Sequence, residues 1–474
     1  MLDEDLVLRS LDKLAKLGVN YGEARLQVDE VYSIVTRNGS LEVYGYNISK
    51  GLSVRTLVNG SMGFATTDQL TMEEINSIVE HAYKLAESQG GGTIKLSEEK
   101  SVNVYYEVRE KTSFNDVSLE EKLGFLQKLD KAVLELQNGV KIPNRSFFLE
   151  YTITMKVFAN TDGTIIRSYI PRIRLMGYFV LAYQDKTLTR MISFGESKGW
   201  EAINEWDPNE RIRRNLSDLA NVITNAREVK TDNYDIILGS ETSGLAAHES
   251  CGHPFELDRI FGREGAQAGE SFVTTEMLGK RIADEEVTVI DDPTIPHSYG
   301  FYLYDDEGVA ARPRYLIHKG VINEFLMNRE TAVELGLNSN AAARASDYNR
   351  EPIVRMANTY FAPGTHTFEE LLEGVKKGIF IRSFGEWNID DRRYNMRFVG
   401  LESYYVENGE IKHPVWNPIF EITTPKFYES IDAVDKELHF DPATCGKSDP
   451  GQGVPVFTGG PNIRVRNVYV FKPV

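Results

Sequence analysis

From Asp3 to Leu17 apolar side chains recur at Leu6, Leu11, Leu14 and Leu17, the spacing of an amphipathic helix, and Gly18 marks its end. The period then changes to two. Glu23 to Thr36, Leu41 to Tyr46 and Leu52 to Val58 alternate, with Asn38-Gly39 and Asn59-Gly60 between them. Asn-Gly readily takes the positive φ angles of a tight hairpin, so these runs predict an antiparallel sheet. Thr71-Met72-Glu73-Glu74 has the form of a capping box and opens a helix with Ile75, Ile78, Val79, Ala82, Tyr83 and Ala86 at core spacing. Gly90-Gly91-Gly92 closes this unit.

The theme then recurs with different residues. Ser118-Leu119-Glu120-Glu121 is a second capping box, before a helix carrying Leu123, Leu126, Leu129, Val133 and Leu136. Tyr151 to Phe158 and Thr164 to Tyr183, around Asn160-Thr161-Asp162-Gly163, predict another hairpin, and Glu201 to Ala226 a helix. From Val229 strands and turns dominate. Lys319-Gly320 separates Tyr315–Ile317 from Val321–Leu326, and Asn408-Gly409 separates Ser403–Val406 from Ile411–Val415. Helices are expected at Glu330–Leu335 and Thr367–Lys377. The fold class is therefore α+β. An N-terminal α+β half, residues 1–228, holds sub-units of about 1–92 and 100–228, and a mostly β, barrel-like half spans 229–474.

Composition narrows the function. The 474 residues are 41% hydrophobic, enough for sizeable cores, and the net charge is −17. That balance argues against nucleic acid as a direct partner, because polyphosphate binding needs concentrated Lys and Arg. No run approaches the ~20 apolar residues of a membrane span, and Met1-Leu2-Asp3-Glu4-Asp5 does not resemble the start of a secretory signal. Two cysteines, Cys251 and Cys445, make no disulfide framework and point to a reduced, cytoplasmic compartment.

The densest chemistry lies in Leu238 to Pro254, read as a strand, a turn and a small-residue helix that breaks at Gly252 and Pro254. His248-Glu249 begins like the zinc-protease motif H-E-x-x-H, but the second histidine, His253, comes one residue late. On an ideal helix positions i and i+5 are about 140° apart, so both could grip one ion only if the helix deforms. Gly252 and Pro254 predict unwinding or a π-bulge there. A catalytic zinc has three protein ligands, which leaves Cys251 or Cys445 as the soft third one. Cys445 lies in the turn-rich Thr444–Gly453 stretch with Lys447 nearby. Taken alone, His-Glu-x-x-x-His also arises by chance, and either cysteine also suits a buried apolar site. His297, His318, His366, His413 and His439 are expected on surfaces or turns, and His81 as ordinary filler in an amphipathic helix. Asp305-Asp306-Glu307 is read as a solvated turn and Arg392-Arg393 as a salt-bridged surface pair.

His248-Glu249-Ser250-Cys251-Gly252-His253, Val289-Ile290-Asp291-Asp292, Asp305-Asp306-Glu307-Gly308, Asn358-Thr359-Tyr360 and Cys445-Gly446-Lys447 with Gly451-Gln452 resemble, in order and spacing, the TldD branch of the TldD/PmbA peptidase family. The hairpin pattern of Gly51–Arg55 and Gly60–Ala65 extends the resemblance weakly into the N-terminal half. The resemblance implies a zinc peptidase with His248, His253 and Cys445 as ligands and Glu249 as base. It also implies unfolded proteins or peptides as substrates, within a dimer formed with itself or a PmbA/TldE-like subunit. Broad sequence tolerance would follow if the peptide joined a sheet edge, for which Val454 to Val465, with Gly459-Gly460, is one candidate. The rival readings are a non-catalytic PmbA/TldE-like subunit with structural zinc, and a gyrase modulator, which the −17 charge disfavours.

Overall fold

In a computed structural model, the residues described are 2–136, 139–263, 270–447 and 451–473. Helix α1 (Glu4–Leu17) is capped by Asp3 and ended by left-handed Gly18. Strand β1 (Tyr21–Arg37) turns through Asn38-Gly39, both at positive φ, into β2 (Ser40–Val58), and Asn59-Gly60 turns β2 into β3 (Ser61–Thr67). The runs Leu41–Tyr46 and Leu52–Val58, expected as separate strands, are one. Asn47 to Gly51 stays paired with β1, Gln27 facing Gly51, because a polar stretch without turn residues can remain extended on a long partner.

Helix α2 (Met72–Ser88) is capped by Thr71 and buries Ile75, Ile78, Val79, Ala82 and Ala86. After β4 (Asn103–Glu107), α3 (Leu119–Leu134) starts at Ser118 with both halves of the capping box formed. The long hairpin of β5 (Lys141–Asn160) and β6 (Ile165–Tyr183) continues into β7 (Lys186–Glu196). These strands make one seven-stranded sheet in the order β3-β2-β1-β5-β6-β4, with β7 also on β6. The helix expected over Glu201–Ala226 is two. A turn at Ala202–Glu205 precedes α4 (Pro208–Asn225), because Asp207 takes φ 44° and Pro208, lacking an N–H, begins a new helix.

The C-terminal half is mostly strand, so the whole is an α+β fold. Its core strand β8 (Asp232–Leu238) leads into α5 (Ser240–Ala247). Strands β9 (Val289–Asp291), β10 (Asn358–Phe361), β11 (Phe384–Ile389) and β12 (Asn395–Gly400) follow, and β13 (His439–Lys447), β14 (Gln452–Gly460) and β15 (Ile463–Phe471) end the chain. Among the described residues β8 lies inside a ten-stranded sheet, beside β15. The run β9-β10-β14-β13 belongs to a six-stranded sheet with β13 at its edge. Strand β14 is paired to β13 along its length and also to β10 over Phe457–Gly459, so that part of the edge expected at Val454–Val465 is already taken.

Helix α5 packs on this second sheet. Ser243 Oγ donates to the Pro461 carbonyl at 2.7 Å, and Gly244 sits against the backbone of Gly459. A Cβ at Gly244 would lie 2.8 to 3.0 Å from the Gly459 backbone, which has no side chain to move. Gly244→Ala is therefore expected to cost about 1 to 3 kcal/mol as an overpacked contact, measurable as a lowered denaturation midpoint.

Asp305, Asp306 and Glu307 are buried, not solvated. Glu307 meets Arg55 of β2 at 2.7 Å and Asp306 meets Lys156 of β5 at 2.7 Å, so the acidic run ties the two halves together. Burial demands such partners. Burial and the neighbouring Glu307 push the Asp305 carboxyl up, while backbone N–H groups of Glu307, Val309 and Ala343 bond to it. No described helix is long and apolar enough to cross a membrane.

Candidate metal centre

Helix α5, of small residues, runs from the end of β8 into the site and widens at its C-terminal end. His248 to Gly252 forms one π-helical turn, closed by the N–H of His253 donating to the His248 carbonyl, and His253–Phe255 continues as a 3-10 turn. The extra residue that separates the histidines is absorbed by this i to i+5 turn. The break expected at Gly252 is thus a bulge rather than an end, and the two imidazoles meet at right angles, 5.0 Å apart. A Cβ at Gly252 would overlap the Met356 side chain, which would have to shift.

Cys445 arrives from β13, with its Sγ 3.5 Å from His253 Nε2. One ligand atom from each of His248, His253 and Cys445 falls within 4.8 Å of the others, and all three residues are buried. Cys445 sits in a regular strand opposite Val454, not in a loop; residues 448–450 of the turn-rich stretch lie outside the described residues. Cys251 is fully buried in the apolar core, where burial pushes its thiol well up, and it is not part of the cluster. Nor are the other six histidines.

The three side chains suit a metal. Nδ1 of His248 is buried without a hydrogen-bond partner, and burial holds this imidazole below its ordinary pKa, in the neutral form that ligates. Burial alone would raise the Cys445 thiol, but His253 and Arg355 outweigh it and lower it, favouring thiolate. Two imidazoles and a thiolate are a borderline-soft set of the kind zinc takes.

Sequence reasoning missed the residues behind these. Glu256 Oε2 lies 3.1 Å from His253 Nδ1, which fixes the ring and leaves Nε2 turned toward Cys445. Burial opposes the Glu256 charge, but Lys447, His253 and Arg259 hold the carboxyl well below the usual range. Lys447 Nζ is 3.2 Å from Glu256 and bonds Asp258 at 2.8 Å, so the Cys-Gly-Lys segment braces both ends of the cluster. The only hint in the sequence was an acid three residues after His253.

Glu249 is 6% exposed, and its Oε2 meets Arg393 Nη1 at 2.5 Å. The expected surface pair is therefore split. Arg392 stays outside, 3.6 Å from Glu270, whereas Arg393 takes φ 64° and turns inward. Both Glu249 and the ligand cluster open on a cleft of about 1150 Å3. Residues His439 to Gly446 of β13, an edge strand of its sheet among the described residues, line it in succession.

Three descriptions of one family match the chain in succession: PmbA/TldA metallopeptidase domain 1 over residues 22–86, the central domain over 112–224, and the C-terminal domain over 231–472. A metalloprotease of Methanothermobacter thermautotrophicus is 31% identical, the match covering 95% of each chain. A zinc metalloprotease TldD homolog of Saccharolobus solfataricus is 26% identical over 98% of this chain and 99% of its own. Among solved structures, TldE of Thermococcus kodakarensis superposes with a TM-score of 0.75 at 17% identity, covering 99% of both chains. A candidate modulator of a DNA gyrase from Thermotoga maritima does so at 0.78 and 19%, covering 98% of this chain and 99% of that one. At such identities the likeness shows a common fold.

Proposed function

From the premise that the chain belongs to the PmbA/TldA metallopeptidase family, we propose that it is a zinc peptidase that hydrolyses peptide bonds of unfolded polypeptides. The observation that carries this reading is the meeting of His248, His253 and Cys445, the last two 192 residues apart, beside a carboxylate in an open cleft. His248, His253 and Cys445 hold the ion. Zinc bound there would supply Lewis acidity to a water molecule and to the scissile carbonyl. Glu249 takes the proton from the attacking water and delivers it to the departing nitrogen. A thiolate among the ligands donates more charge than a third imidazole would, so turnover should be modest.

The substrate enters as an extended chain along the unpaired side of β13, where main-chain hydrogen bonds give affinity without demanding a sequence. Pro442, which has no N–H, is tolerated on such an edge. The protein works as a dimer, with itself or with a PmbA/TldE-like subunit, in the cytoplasm. Leu41, Val43, Tyr44, Tyr46 and Ile48 support this, being exposed on the stretch of β2 beyond the end of β3, which pairs only Leu52–Val58. A purely structural zinc would have four protein ligands, and among the described residues no fourth His, Cys, Asp or Glu joins the cluster.

The test is metal removal and return, using an unfolded, carboxymethylated protein as substrate. Chelator-treated protein should be inactive, and about one zinc per chain should restore cleavage. Equal cleavage with and without zinc overturns the proposal. So does no cleavage by the zinc-loaded protein, alone or with its TldE-like partner.

A further inference from the structure

Arg393 is placed with unusual care for a residue in a turn. Its N–H donates to the Asp390 carbonyl at 2.9 Å, and its own carbonyl accepts Thr424 Oγ1 at 2.6 Å. Asp390 also ties down the two residues that follow, accepting the N–H groups of Tyr394 at 2.8 Å and Asn395 at 3.0 Å. Within this frame Arg393 is a non-glycine residue at φ 64°, a conformation that costs about 1 to 2 kcal/mol. The strain is retained where it aims a guanidinium at the cleft.

Of the four other described arginines lining the cleft, Arg214 is exposed and the remaining three are engaged elsewhere. Arg190 grips both oxygens of Glu241, at 2.8 and 2.7 Å, and Arg382 bonds Asp218 and Glu402. Arg211 stacks over Phe194. Arg393 gives Nη1 to Glu249 and keeps Nε buried without a partner, so it has donor capacity that the free protein does not use.

The geometry points to Arg393 as the group that binds the scissile carbonyl oxygen of the substrate and meets the charge that develops there. The assignment rests on the reading of Glu249 as base. When the water oxygen bonds to the carbonyl carbon, the π pair moves onto the carbonyl oxygen and the water's proton goes to Glu249. One negative charge vanishes at Glu249 as another forms on the oxygen. A guanidinium already against Glu249, with further N–H groups to spare, can follow that charge without travelling across the cleft. When the pair returns, the C–N bond breaks and the nitrogen leaves with the proton from Glu249. Donors fixed where charge develops are typically worth a factor of about 100 to 1000 in kcat.

Arg393→Ala and Arg393→Lys, loaded with zinc, test this against Glu249→Gln. Arg393→Ala should keep its zinc and lower kcat about 100-fold, with Lys intermediate, added guanidinium restoring part of the loss, and KM within about threefold. Affinity for a phosphinic peptide, whose tetrahedral phosphorus carries the anionic oxygen, should fall by a similar factor in Arg393→Ala without any turnover. A kcat within threefold of wild type, a loss confined to KM, or unchanged phosphinic-peptide affinity overturns the assignment. If Arg393→Ala does not fold, the Lys variant decides by the same readings. Full cleavage by Glu249→Gln would instead remove the base reading itself, so the two failures are distinguishable.

Discussion

Glu249→Gln is expected to keep about one zinc per chain and lose at least ~100-fold, and up to ~10,000-fold, of its cleavage of unfolded protein, the range that general acid–base catalysis contributes. The substitution conserves shape and removes the ability to hold and release a proton at Oε2. The metal should stay, because the ligands proposed for it are His248, His253 and Cys445, not Glu249. One structural cost accompanies the change: Arg393 loses a carboxylate at 2.5 Å and is left half-buried beside a neutral amide. Removing one partner of a largely desolvated pair is destabilising. A thermal denaturation midpoint measured beside the zinc content separates that cost from the chemistry. A stable, zinc-bound, inactive variant supports the mechanism, and one that cleaves like wild type refutes it.

The parts of this architecture that were legible in the sequence are those with a local cause. Asn38-Gly39, Asn59-Gly60 and Asn408-Gly409 fixed their hairpins because few other pairs accept consecutive positive φ angles. Ser118 and Thr367 fixed helix starts through capping boxes that close within four residues. Even the late histidine was readable, since Gly252 and Pro254 announced that the helix could not stay regular.

What stayed hidden depends on partners far along the chain. Nothing near Asn47–Gly51 says that β1 will be long enough to hold it extended. Asp305–Glu307 reads as a surface turn until Arg55 and Lys156 are brought against it. Glu256 and Arg393 acquire roles only because the fold sets them beside His253 and Glu249, and their local sequence is that of ordinary charged residues. The misplaced substrate edge has the same origin. Val454–Val465 was readable as extended, but Cys445 was expected in a turn-rich stretch, and only the pairing shows that β13 is a strand and lies at the edge of its sheet.

Cys445→Ala should lose the metal, and its proper control is Cys251→Ala. The two cysteines are alike in burial and unlike in surroundings: Cys445 Sγ faces His253 Nε2 at 3.5 Å, whereas Cys251 is enclosed by the apolar core near Tyr428. With the thiolate gone, two imidazoles remain, and the loss of one of three ligands, the only charged one, should let a competing chelator strip the ion from the variant under conditions in which wild type keeps about one zinc per chain. Cobalt makes the ligand visible. The cobalt-loaded wild type should show a sulfur-to-metal charge-transfer band that Cys445→Ala lacks and Cys251→Ala retains. The control should cost about 1 kcal/mol of stability, for removing a small buried side chain, and leave zinc content unchanged. The reverse pattern would make Cys251 the ligand. That would require the π-helical turn at His248–Gly252 to rearrange, because the turn that joins the two histidines also holds Cys251 in the core.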